Sequence, residues 1–252
     1  MYAATIYSLL LTFSIFFCAH VKSDEQIYTV GVEDYPHFLP YSQYQGGVYS
    51  GLGRDIMDAF LDGKPYRFEY VVLPLKRMDQ DFVDGKLGLI FPQNPNWVQD
   101  LKAGLDIAYA PMLEFTDGLI VLKQNAQDAH LKLKVLGVPL GFTPYPYFED
   151  IHAKTIRTIE ATDYNSLYLM LIRERIDGAY MNSRIANYYW RAIMGEKSPP
   201  ITLAEDAPQG SGYWHLASFK HKDIIEEFRH FMDENPQLIR KLKEKWRFDS
   251  FE

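Results

Sequence analysis

The chain has 252 residues, 47% of them hydrophobic and 15% aromatic, which is enough to bury one large core or two modest ones. Its formal charge is −7, with Lys and Arg interspersed among Asp and Glu, and this argues against a phosphate-neutralising surface and hence against nucleic acid as a partner.

The first segment, "MYAATIYSLLLTFSIFFCAHVKSDEQ", carries an apolar run from Ala3 to Ala19 and then turns polar, with Val21 and Ser23 at a spacing that signal peptidases accept. Residues 1–23 read as a secretory signal cut before Asp24; an uncleaved anchor is the alternative, since 17 apolar residues lie at the short edge of a bilayer span. Cys18 is the only cysteine, so removal of the signal leaves no thiol for disulfides, metal ligation or nucleophilic chemistry.

Beyond Asp24, strand and helix patterns alternate. "IYTVGV" (27–32) reads as a buried strand, and a loop rich in Tyr, Pro and Gly follows. In "GLGRDIMDAFLDG", Leu52, Ile56, Ala59 and Phe60 share a helical face that ends at Gly63. "YRFEYVV" is a second strand, then Leu75, Met78, Phe82 and Val83 form a helix stripe closed by Gly85, with a strand over Leu87 to Phe91. "FTDGLIVLK" is a further extended segment. The second half repeats the order with strand "LKVLGV", aromatic loop "PLGFTPYPYFED", strand "TIRTIE", helix "YNSLYLMLIRER" and strand "IDGAYM", followed by an amide-bearing loop. "GSGYWHLASF" and two helices, 223–232 and 237–246, close the chain. This alternation predicts an α/β fold of mostly parallel strands in two lobes, with a ligand cleft where strand C-terminal ends converge.

Six pieces in order carry a resemblance: "VGVEDYPHFLPY", "SGLGRDIMDAF", "VLPLKRMDQDFVDGKLGLIF", "VLGVPLGFTPY", "LIRERIDGAYMNS" and "LIRKLKEKW". Over Ile27 to Phe248 the chain resembles the family 3 extracellular solute-binding proteins, the polar amino-acid class of type II periplasmic binding proteins. The resemblance implies a first lobe of residues 24–119 with 207–252 and a second of 120–206. It also implies a monomer without cofactor in the periplasm, closing by hinge motion over a small solute that passes to an ABC permease or is read by a membrane receptor.

In that family a first-lobe arginine clamps the ligand carboxylate through paired hydrogen bonds. The resemblance places it in "FPQNPNWVQDLK", near Leu101, and no arginine is there. Lys102 stands beside that position, either as a point charge for a carboxylate or as a solvated loop lysine; Phe91, Gln93 and Trp97 offer stacking and neutral hydrogen bonds. The family's second-lobe aspartate, which receives the ligand ammonium, aligns with Asn182, which is equally suited to cap a helix. Both halves of the usual clamp are altered, so the ligand is expected not to be a standard α-amino acid held by that pair.

Aromatic walls come from Tyr35, Phe38 and Tyr41 in the first lobe and from Phe142, Tyr145 and Tyr147, with Thr143 among them, in the second. They suit a planar or apolar ligand portion or a cationic head. Arg77, at a helix start, either replaces the missing arginine or pairs with Asp81 four residues on. Glu33 and Asp34 either meet a cationic ligand group or are solvated. The seven histidines show no metal-ligand spacing, and no Walker loop or nucleophile elbow is present. Two alternatives to a transport binding protein stand: a sensor for a signalling receptor, and an enzyme on this fold similar to cyclohexadienyl dehydratases, for which Glu33, Asp34 or His37 supplies a general acid.

Overall fold

Apolar strands separated by one-sided helices bury a sheet only if the helices pack over it, and this requirement sets the architecture. The computed structural model describes residues 26–248 except 36, 141, 143, 194, 196 and 197, with backbone only at 192 and 193. The signal segment and Thr143 therefore lie outside the described residues.

In chain order the first half is β1 (Gln26–Glu33), the hairpin β2 (Gln43–Gln45) and β3 (Val48–Ser50), α1 (Leu52–Phe60), β4 (Tyr66–Leu73), α2 (Leu75–Val83), β5 (Leu89–Gln93) and the long β6 (Ala108–Leu122). The second half runs α3 (Ala129–Lys132), β7 (Val135–Pro139), α4 (Phe148–His152), β8 (Arg157–Ala161), α5 (Tyr164–Ile172), β9 (Gly178–Asn182) and α6 (Ser183–Ile193). The chain returns through β10 (Ile201–Leu203), β11 (Gly210–Ser218), α7 (Lys222–Glu234) and α8 (Pro236–Lys245).

Among the described residues nine strands form one sheet in the order β4-β1-β5-β11-β6-β9-β7-β8, with β10 also on β6, and β2 and β3 form a separate two-stranded sheet. β1 lies between parallel β4 and β5, and β7 lies between parallel β8 and β9, so each lobe is built on the same three-stranded unit. The antiparallel pair β6 and β11 joins the two units. β6 pairs with β11 from Ala108 to Asp117 and with β9 from Asp117 to Ile120, so the expected lobe boundary at 119/120 falls within a single strand. In each unit the chain leaves the central strand to one side and returns on the other, which opens a crevice at the strand C-terminal ends.

Three expectations are corrected. β5 begins at Leu89 and includes Pro92 and Gln93, which the sequence reading placed in the loop. The extended segment after Phe115 is the second half of β6, whose first half begins at Ala108. The amide-bearing loop after β9 is instead α6, which starts at Ser183.

Leu52, Ile56, Met57 and Phe60 of α1 are almost wholly buried, each worth about 1.5–3 kcal/mol of apolar burial. The start of α1 is pinned to the aromatic loop by Leu52 N–H on the Pro40 carbonyl and Gly53 N–H on the Tyr41 carbonyl, both at 2.9 Å. Gly51, at φ 122°, permits that approach: a Cβ there would lie 2.6 Å from both Ser42 Cα and the Tyr41 carbonyl oxygen. Gly51→Ala is therefore expected to cost about 2–4 kcal/mol, read from urea denaturation. An unchanged midpoint would show that this loop has no fixed seat.

The main core is continuous from one lobe to the other, from Tyr28 and Phe60 through Phe38 and Trp214 to Tyr164 and Tyr168. No helix among the described residues is long and apolar enough to cross a membrane.

Candidate functional site

The loop after β1 projects Tyr35, Phe38 and Tyr41 toward the second lobe. Phe38 stacks on Trp214 of β11, with ring centres 5.2 Å apart and planes 11° apart, and faces Tyr164 of α5 at 6.5 Å. Tyr35, half-buried, packs 5.1 Å from Phe38. Tyr41 lies 4.2 Å from Trp214 and donates its hydroxyl proton to the Glu114 carbonyl at 2.8 Å. His37 meets the edge of Tyr189 on α6 at 5.9 Å. The lobes thus meet through aromatic rings.

Asn182, at the end of β9, caps α6: its Oδ1 accepts from the N–H groups of Arg184 at 3.0 Å and Ile185 at 3.1 Å. Its Nδ2 donates to Asp117 Oδ1 at 3.0 Å and to the Tyr41 hydroxyl at 3.4 Å. Two donors and two acceptor positions are thereby filled by the protein. Of the two readings of Asn182, the structure displays the cap.

The loop that lacks the arginine folds upon itself with its amides. Gln93 donates to Asp79 at 3.2 Å and accepts from the Asn94 N–H at 2.8 Å; Asn94 accepts from the Asn96 N–H at 2.9 Å and donates to the Tyr213 carbonyl at 3.0 Å. Lys102 is not a solvated lysine: it is 6% exposed, and its Nζ donates to the Asn94 carbonyl at 2.7 Å, with Gln93 Oε1 and the Pro95 carbonyl each at 3.4 Å. Burial lowers its pKa, and the Asp79 charge opposes that shift. Its ammonium holds the loop closed. Trp97 is half-buried against the main core.

Other candidates lie apart from this constellation. Arg77 is exposed and ion-paired with Asp81 at 2.6 Å. Phe91 is fully buried, and a Cβ on Gly53 would lie 2.6 Å from its ring. Phe142 is half-buried beside Tyr180, ring centres 6.1 Å apart, and Tyr147 is buried on that same ring. Tyr145 is 73% exposed. Asp34 is exposed. A hollow of about 360 Å³ between α6 and β10, lined by Lys123, Ser183, Asn187 and Arg191 among others, contains none of the expected site residues.

Glu33 is the unusual group. It ends β1, is 5% exposed, and receives no hydrogen bond or ion pair from any described residue. Burial, with the Asp79 charge second, pushes its pKa up to about 8. Asp79 is itself raised by burial, with Gln93 and Lys102 pulling it back. Across the cleft, burial raises Asp117 to about 7 against the Asn182 hydrogen bond. Tyr164 feels both carboxyls and Tyr35: burial first, then Asp117, Tyr35, Tyr168 and Glu33, raise its hydroxyl well above the usual range. The sequence reading passed over Asp117, although an aspartate inside the strand "FTDGLIVL" is itself a signal, since strand interiors disfavour it.

Among the described residues no group of three or more His, Cys, Asp or Glu is placed to hold a metal ion.

No family model matches the chain, and no curated protein does. Solved structures do. One is a substrate-binding protein of an ABC uptake transporter from Streptococcus pneumoniae with bound histidine, at TM-score 0.66 and 18% identity, covering 87% of this chain and 92% of that one. An ancestral arginine-binding protein bound to arginine matches at TM-score 0.65 and 17% identity, covering 88% and 98%. The fold is that of the two-lobed periplasmic binding proteins. A third structure of the same type is the ancestral amino-acid-binding protein AncCDT-1, a precursor of cyclohexadienyl dehydratase, at TM-score 0.63 and 18% identity, covering 88% and 96%. Glu33 and Tyr35 belong to the first lobe and Tyr164 to the second, on either side of the seam where Phe38 faces Tyr164.

Proposed function

We propose that this chain is a periplasmic solute-binding protein that captures a small polar organic solute by closing its lobes and passes it to an ABC permease. The observation that carries this reading is that Glu33 is buried beside the aromatic seam between the lobes with no hydrogen-bond or ion-pair partner among the described residues. A carboxyl desolvated in this way is costly unless a donor reaches it, and an entering solute supplies one. The bound ligands of the similar structures, histidine and arginine, support a small nitrogenous solute. Electrospray of the undenatured protein after gentle purification is expected to show a retained small molecule. Its removal is expected to enlarge the radius of gyration in solution scattering; finding neither would sink the closure reading.

Catalysis is the second reading, favoured by one observation: Glu33 is buried with no hydrogen-bond partner among the described residues, and that burial raises its pKa in the direction a general acid needs. The similarity to a dehydratase precursor points the same way. Turnover of prephenate or arogenate by the purified protein would establish it.

A further inference from the structure

The geometry points to a protonated primary amine without a carboxylate as the solute, its ammonium received by the buried, donorless Glu33 at the aromatic seam that Phe38 and Tyr164 form between the lobes; this rests on the solute-binding reading above.

The chemistry of the cleft is one-sided. The groups that exchange charge influence with Glu33 are Asp79 from α2, Tyr35 from the loop, Tyr49 from β3 and Tyr164 from α5, and Tyr164 in turn feels Asp117 from β6. None of these is a cation. Three basic side chains on elements that reach the cleft are each committed elsewhere. Arg77 pairs with Asp81, Lys102 holds the Asn94 carbonyl, and Arg184 pairs with Glu114 at 3.7 Å while covering the Phe248 ring at 4.8 Å. A ligand carboxylate would thus meet two buried acids and the half-buried Asp117, with no uncommitted guanidinium fork among the basic groups just named. An α-amino acid brings one group that the cleft accepts and one that it repels.

An ammonium fits on both counts. It donates N–H groups to a carboxyl that has no donor, and its charge is favoured against aromatic faces. A quaternary ammonium fits the rings but has no N–H to give, so it leaves Glu33 as it was.

Matched pairs isolate the carboxylate. Histamine with histidine, agmatine with arginine, cadaverine with lysine and tyramine with tyrosine differ by that group alone, and choline tests the quaternary case. Calorimetry at pH 8.5 is expected to show at least one amine binding tenfold or more tightly than its amino acid, and Glu33→Gln to weaken it thirtyfold or more. Binding below pH 8 is expected to release close to one proton per site, because Glu33 ionises as the amine arrives; a carboxyl with a purely structural role releases none. An amino acid that outbinds its amine, choline binding that equals the amines, or amine binding that survives Glu33→Gln overturns the assignment while leaving the solute-binding protein intact. If no probe binds, the amine assignment fails, and the molecule seen by electrospray decides the rest. A retained anion or zwitterion preserves the binding reading, and an empty protein removes it as well.

Discussion

Glu33→Gln is expected to stabilise the protein at pH 8 by roughly 3–5 kcal/mol while weakening amine binding thirtyfold or more. The sign follows from the direction of the shift. The folded-state pKa, about 8, lies above the ordinary glutamate value of 4.5, so the folded protein holds this proton more tightly than the unfolded chain does. That contribution is full below pH 4.5 and is lost as pH rises through 8. Glutamine stays neutral throughout, so wild type and variant should coincide near pH 4 and separate steadily up to pH 8. Thermal unfolding at half-unit pH intervals reads the effect directly. Asp117 keeps a slope in the variant, since its own raised value, about 7, acts in the same sense below that pH. A variant less stable than wild type across the whole range would mean that Glu33 has a structural partner. The expected result is characteristic of a group retained for function against the interest of the fold.

Asn182 carries the second large effect. Asn182→Ala removes the cap from two α6 N–H groups, the bond to Asp117 and the tie to Tyr41, for an expected loss of about 2–4 kcal/mol in chemical denaturation. Asn182→Asp is more informative, because it restores the residue that the family resemblance expects. The cap oxygen survives, but a second carboxyl now lies about 3 Å from Asp117, and two acids at that distance share one proton. The shared proton's raised pKa makes stability fall with rising pH. Asn182→Asp should match wild type near pH 5 and fall roughly 2 kcal/mol below it at pH 8. Equal stability at both would mean that Asp117 turns away from position 182.

These two residues also show what the sequence could disclose. The two α/β units were legible because the buried faces of β1, α1, β4 and α2 repeat at strand and helix periods. β6 was half hidden: its first part, "AYAPMLEFT", carries a proline and a glutamate and is ordered by pairing with β11, a partner almost 100 residues later in the chain. α6 was hidden because "SRIANYYWRAI" begins with polar residues, although its cap, Asn182, was recognised as one of two readings.

The candidate site was less legible, for a physical reason. Whether Lys102 is solvated or buried depends on loop carbonyls that fold back on it, and no local pattern encodes that. Glu33 was weighed as a cation partner in the sequence, but its isolation from every described donor exists only in three dimensions. The family resemblance implied the altered clamp; the burial of Glu33 and Lys102 required the packing.

The pair β6 and β11 constrains how the lobes can part. Its rungs run from Ala108 with Ser218 to Asp117 with Gly210, interrupted once where Met112 is squeezed out between Leu113 and Pro111. Strands laced together this way resist sliding past one another, so a lobe displaced from its mate has to flex or wring the ribbon. The ribbon acts as a leaf spring whose softest point is the squeezed-out residue.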